Sequence, residues 1–235
     1  MAIQWAAFPA ATSQYSGDWL FALPTASCEL RLDDEAVRIA IRVRLGLQLC
    51  TPNRCHCGAQ VDAHGRLSFI CKRAPGRTIP YHHLNELIAR ALPTASIPNT
   101  KELQDLCRSD GKRPDGLTLV PWQSGKPLIW DVTVVSYVAL AARDKSATAE
   151  MAASNKTAKY AGLTSDYHFQ PITVESLGPA NESAIHFLTV LGKKIAQQTG
   201  YERETAFLFQ RLSILVQRFN CVLLHDSFVH DDCPD

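Results

Sequence analysis

An aspartate stands in the middle of the most strand-like run of this chain, and that placement constrains the fold more than any other feature. The run is Pro127-Leu128-Ile129-Trp130-Asp131-Val132-Thr133-Val134-Val135, apolar or β-branched apart from Asp131. Such a composition reads as a buried strand. A carboxylate inside it is costly unless it is paired, protonated or bound to a metal.

A second strand-like run, Gly116 to Trp122, comes just before, and Gln123-Ser124-Gly125 is the turn signal between the two. Asp115 opens that run, within Arg113-Pro114-Asp115-Gly116. A turn centred near Ser124 makes paired positions sum to about 248 in an antiparallel hairpin. Asp131 then faces Leu117, and Asp115 faces Thr133. Both carboxylates fall on one face as diagonal neighbours, roughly 5–8 Å apart. Two carboxylates so placed can share a hard cation such as Mg²⁺, which is usually held by one or two carboxylates plus substrate phosphate oxygens. The same residues also read as a plain Pro-Asp-Gly turn and a salt-bridged core aspartate.

The chain has 235 residues, 46% hydrophobic and 20% charged, which supports a real core and excludes a disordered chain. That length fits one domain with appendages or two small ones. The net charge of +1 leaves nucleic-acid binding to local basic patches. Met1 to Thr12 lacks the basic residues that open a signal peptide. No run of about 18 apolar residues predicts a membrane span. Eight cysteines are too sparse for a disulfide scaffold. Four of them fall between residues 50 and 71, which points to metal in a reducing, intracellular compartment.

Those four are Cys50, Cys55, Cys57 and Cys71. Tetrahedral Zn²⁺ takes four thiolate or imidazole ligands, usually as two close pairs. Cys55 and Cys57 make one pair, with Gly58 letting the backbone turn around a metal. Cys71 is the third ligand, and Cys50 or His64 the fourth. The competing reading is a cluster of free buried cysteines. A zinc ion here would staple a small lobe and take no part in catalysis.

Elsewhere the patterning predicts helices. Asp33 or Asp34 caps one that runs to about Leu49, with Arg38, Arg42 and Arg44 giving it a partly basic surface. Lys72, Arg73 and Arg77 form a basic linker suited to phosphate contact. Tyr81 to Leu92 is the next helix, ended by Pro93. His82 and His83 either touch phosphate or fill a seam against the zinc lobe. Lys101 to Leu106 is a short strand. Asp144 to Tyr160 is a helix rich in Ala, Lys and Glu. Lys156 and Tyr160 share one of its faces and Lys159 lies on the flank. By themselves these lysines are a solvated face. His168 to Leu177 is another strand. Asn181 to Gln198, with Gly200 as C-cap, and Arg203 to Leu224 are the closing helices. Arg211 and Arg218 lie on one face of the last, either along nucleic acid or simply wet.

Lys112-Arg113-Pro114-Asp115-Gly116 followed by Trp130-Asp131-Val132-Thr133-Val134-Val135 resembles the restriction-like PD-(D/E)XK endonuclease at the C-terminus of certain non-LTR retrotransposon polyproteins. The resemblance runs from about Ser16 to about Phe228. It implies an α/β (α+β) fold, an αβββαβ restriction-endonuclease-like core with a zinc lobe before it and a helical pair after it. The corresponding segments are 1–49, an N-terminal helical segment; 50–77, zinc knuckle and basic linker; 78–178, the nuclease-like core; and 179–235, the closing helices. Thr133 stands where the usual motif has lysine. The family displaces that lysine onto the following helix, which assigns the role to Lys156, with Lys159 as its backup and Tyr160 as support. Glu102 matches a family glutamate and is a third candidate carboxylate. Glu86, on the first helix, competes with it. The family's zinc knuckle has a histidine a few residues before its last cysteine, and none stands there between Arg66 and Ile70.

The resemblance further implies a nuclear, Mg²⁺- or Mn²⁺-dependent endonuclease that nicks DNA, leaving 5′-phosphate and 3′-hydroxyl ends. Asp115, Asp131 and Glu102 hold the cation, and Lys72, Arg73, Arg77 and Arg113 contact DNA. Its partners are DNA and, in a full polyprotein, the reverse transcriptase and the element RNA, with no membrane. The alternative is a catalytically decayed, zinc-stabilised module that binds nucleic acid or protein.

Overall fold

Asp33 caps a helix near the start of the described residues, accepting the Ala36 N–H on its side chain at 2.7 Å. The fold is that of a computed structural model, which describes residues 12–101, 106, 113–136, 148–178 and 180–228. This helix, α1, spans Asp34–Leu45 and stops short of the expected Leu49, because Gly46 turns left-handed at φ 65°. Its basic face is spent on structure: Arg38 pairs with Glu35, Arg42 donates to Gln48 O at 2.8 Å, and Arg44 donates to Ser16 O at 3.1 Å.

Two short strands follow, β1 (Asn53–Arg54) and β2 (Gln60–Val61), antiparallel to one another. Helix α2 spans Ile79–Thr94 and carries Pro93 in its last turn, one residue past the expected stop. Proline there leaves the Ala89 carbonyl without its helical N–H. The Asn99 side-chain amide supplies a donor instead, at 2.9 Å.

Among the described residues the main sheet has four strands in sequence order: β3 (Asn99–Lys101), β4 (Gly116–Gln123), β5 (Lys126–Val135) and β6 (His168–Glu175). The first three run antiparallel, and β6 pairs parallel with β5, placing Pro171 beside Asp131. The sheet is therefore mixed, and the parallel pair is joined by a crossover containing helix α3 (Thr148–Lys159). Helices α4 (Glu182–Thr199) and α5 (Glu204–His225) close the described chain. By length and composition α5 could cross a membrane, but 78% of its most apolar stretch is buried, as a core helix requires.

Alternation along β5 sorts its side chains. Leu128, Trp130 and Val132 join the core formed with α2, α4 and α5. Asp131, between them, meets Lys156 of α3, which packs on β5 and β6. The glycine of the Pro-Asp-Gly turn has a steric reason: a Cβ on Gly116 would lie 2.1 Å from the Trp130 ring. That ring is fully buried, and its Nε1–H donates to Asn85 Oδ1 of α2 at 2.8 Å.

The hairpin turn sits at Ser124 and Gly125, both at positive φ. Its register differs from the expected one. Pro121 pairs with Pro127 as expected, but Leu117 pairs with Ile129, not Asp131, and the ladder shifts between Leu117 and Pro121. Both prolines lack an N–H, and the Leu128 N–H is taken by the Thr118 hydroxyl at 2.9 Å.

Arg211 and Arg218 do not offer a free basic face. Arg211 lies 3.9 Å from Glu29, and Arg218 donates to the carbonyls of Glu29 at 3.2 Å and Arg31 at 3.1 Å. They clamp the segment before α1 onto α5.

Candidate functional site

Asp131 is brought by β5, Asp115 by the turn before β4, Lys156 by α3 and Lys159 by its last turn. The four line one cavity of about 710 Å³ together with Lys72 and Arg113. Asp131 is nearly fully buried, 4% exposed. Its Oδ1 accepts from Lys156 Nζ, which also donates to Val132 O at 2.9 Å. Its Oδ2 lies 3.7 Å from Lys159 Nζ. Lys159 also donates to the Tyr160 hydroxyl at 2.6 Å, and that hydroxyl donates to Arg113 O at 2.8 Å. Tyr160, just past the helix, thereby ties the end of α3 to the turn that carries Asp115.

Asp115 is held from two sides. Its Oδ1 accepts from the Tyr81 hydroxyl of α2, and its Oδ2 accepts the Val132 N–H at 2.6 Å. Burial, with the Asp131 charge adding to it, pushes the Asp115 carboxyl up to about 6. The Tyr81 phenol is raised as well, by burial and by its bond to Asp115. Four cationic side chains and two carboxylates face this cavity, a local excess of two positive charges on a chain of net charge +1. That balance suits a phosphate group.

Other expected members lie elsewhere. Glu86 is outside the cavity, paired with Arg90 at 2.9 Å and with Lys101. Those two cations claim it from i+4 and from the neighbouring strand. Glu102 lies outside the described residues, as does Lys112. Arg73 is exposed and away from the cavity lining, and the Arg77 side chain is not described. His83 packs against Phe219 of α5, ring centroids 5.2 Å apart and tilted by 47°. Tyr81 is the member that sequence reasoning missed. Its only signal was a position at the start of a helix that had to cover the sheet.

The second constellation is the cysteine lobe. The thiols of Cys55, Cys57 and Cys71 lie within 4.8 Å of one another. Gly58, at φ 86°, closes the turn: the Cys55 N–H donates to Ala59 O at 3.0 Å and the Gly58 N–H to Cys55 O at 2.7 Å. Cys71 is delivered by the short turn Arg66–Phe69, its N–H donating to Leu67 O at 2.8 Å. Burial pushes the Cys55 thiol up to about 11, while the Ala59 N–H holds the Cys57 thiol down. Three sulfurs converging in a loop-rich lobe are a donor set for a soft or borderline cation of the zinc kind.

Of the five ligands expected, the structure brings three together. Neither Cys50 nor His64 joins the group. The Cys50 thiol donates to Asp62 O at 3.5 Å instead. Zinc content should therefore be one per chain in the wild type and in Cys50→Ser, and lost in Cys71→Ser, as read by thiol-displacement colorimetry. Loss of zinc from Cys50→Ser would return Cys50 to the ligand set.

The lobe docks onto the end of α5. Cys55 forms an antiparallel bridge with Phe228, the His56 N–H donates to Ser227 O at 3.3 Å, and the Ser68 and Ser227 hydroxyls meet at 2.6 Å. Phe69, Ile70 and Lys72 of the lobe also line the carboxylate cavity. The molecule is thus a three-cysteine, metal-suited lobe ahead of an α/β domain with a mixed sheet and a closing helix pair. No family model and no curated protein matches this chain.

Proposed function

We propose that this chain binds DNA in the cavity between the lobe and the sheet and hydrolyses a phosphodiester bond there. The observation that supports this most is the convergence of Asp115, Asp131, Lys156 and Lys159, drawn from three separate elements, on one cavity with Lys72 and Arg113. The donor set fits a hard divalent cation, since it offers two carboxylates and no sulfur or imidazole. Asp115 and Asp131 would hold Mg²⁺ or Mn²⁺, which when bound polarises a phosphate and lowers the pKa of a water.

The chain's own groups do the rest. Lys72 and Arg113 neutralise the phosphates that flank the bond. Lys156 orients the attacking water and offsets the charge that builds on the phosphorus oxygens. Lys159 and Tyr160 hold the end of α3, and so Lys156, against the sheet. Water loses a proton to solvent as its oxygen bonds phosphorus, and the bond to the 3′-oxygen breaks. That oxygen takes up a proton from solvent and leaves as a hydroxyl, so that one water is consumed for each bond cut.

A second reading, a zinc-stabilised module that binds nucleic acid without cutting it, is favoured by one observation. Every oxygen of the two carboxylates already has a partner within the chain. Supercoiled plasmid separates the two. The hydrolytic reading expects Mn²⁺-dependent nicking that Asp131→Ala abolishes. Plasmid bound but left intact by zinc-loaded wild type would establish the binding module.

A further inference from the structure

Tyr81 plays no part in the chemistry just described, yet it touches that site. It lies in the first turn of α2, half-buried, and lines the cavity. Its hydroxyl donates to Asp115 Oδ1, while the Val132 N–H occupies Oδ2 at 2.6 Å. The phenol's single proton points at the carboxylate, so the contact holds that group in place. An ionised carboxylate offers about four acceptor positions on its two oxygens. Two are used by Tyr81 and Val132, and two remain for a cation.

Asp115 is buried just before β4, its N–H donating to Trp130 O at 2.8 Å, and two side-chain torsions still have to be set to aim its carboxylate. Ordering it on cation binding would then cost conformational entropy. The strand backbone on one side and the helix phenol on the other set those torsions beforehand. Glu86, the acidic residue of α2, is turned away to Arg90 and Lys101, so Tyr81 is the helix's polar contribution to the site.

We propose that Tyr81 is a positioning residue of the cation site, fixing the Asp115 carboxylate so that its remaining lone pairs are presented together with Asp131. This rests on the hydrolytic reading for the identity of the cation. Partners that orient a metal ligand typically contribute 10–100-fold in affinity, and roughly that loss is expected here.

The test is Mn²⁺ titration of the zinc-loaded full chain, with free Mn²⁺ read by electron paramagnetic resonance. Wild type, Asp131→Ala, Tyr81→Phe and a chain with 4-aminophenylalanine at position 81 are compared. Tyr81→Phe should bind roughly 10-fold more weakly or worse. The 4-aminophenylalanine chain, which restores an N–H donor in the same place, should regain most of the loss. A change that acted through packing alone would not be rescued. Equal Mn²⁺ affinity in wild type and Tyr81→Phe, with Asp131→Ala losing it, overturns the role of Tyr81 and leaves the hydrolytic reading standing. So does an unrescued loss. Absence of any Asp131-dependent Mn²⁺ binding in wild type overturns both.

Discussion

Lys156→Met is expected to bind Mn²⁺ about tenfold more tightly than the wild type while losing at least about a hundredfold in cleavage. The opposite signs follow from one contact. Lys156 Nζ rests on Asp131 Oδ1, in a pair whose side chains are 19% and 5% exposed. An ammonium there competes with any cation for the same oxygen. Methionine keeps the length and apolar stem of the side chain and removes the charge. Asp131 is then left with Lys159, 3.7 Å from its other oxygen. Removing one partner of a buried pair costs about 3–5 kcal/mol, and Lys159 places the loss at the lower end. Mn²⁺ should recover part of it, because a ligand that binds only the folded state stabilises that state. The melting temperature of Lys156→Met should therefore rise more on adding Mn²⁺ than that of the wild type. If both chains bind Mn²⁺ equally, the lysine and the cation do not share Asp131.

Asp115→Asn should melt higher than the wild type at pH 8 and no higher at pH 4. The folded chain holds the Asp115 carboxyl at about 6, by burial and by the neighbouring Asp131 charge, against an ordinary aspartate near 3.9. Between about pH 4 and pH 6 the folded state keeps a proton that the unfolded state has released, so stability falls as pH rises through that window. Two pH units correspond to at most about 3 kcal/mol, or on the order of 5–10 °C for a chain of this size. Asparagine does not titrate and escapes that loss. It can still satisfy its neighbours, its oxygen accepting from Val132 N–H and its amide donating to the Tyr81 oxygen. A melting difference that does not vary with pH would show that ionising Asp115 costs the fold nothing.

Much of this architecture was legible because it rests on patterns within single elements. The β-branched run around Asp131, the turn at Ser124-Gly125 and the helix stop at Gly200 are local signals, and each element formed where its signal stood. Gly46 was a stop of the same kind that the apolar periodicity running on to Leu49 hid. The hairpin register was not legible, because counting back from the turn assumes an unbroken ladder. Here two prolines and the Thr118 hydroxyl interrupt it, and Leu117 ends opposite Ile129. Glu86 and Tyr81 show a second limit. Both lie on α2, and only the way that helix crosses the sheet decides which reaches Asp115. The cysteine lobe shows a third. Spacing brought Cys55, Cys57 and Cys71 into consideration together, but Cys50 is drawn off by a carbonyl that no spacing rule weighs.

The bridge between Cys55 and Phe228 has a consequence for the order in which the molecule is made. The two residues stand 173 positions apart, 228 less 55. A chain leaving the ribosome presents all three clustered cysteines long before the segment that seals them has been synthesised. Contacts of such sequence separation form late, after the closure entropy of the intervening loop has been overcome. Until that segment has been made, the lobe stands as an open thiol-bearing hairpin, exposed to stray metals and to oxidation. It becomes a finished wall of the cavity only when the end of α5 and Phe228 arrive.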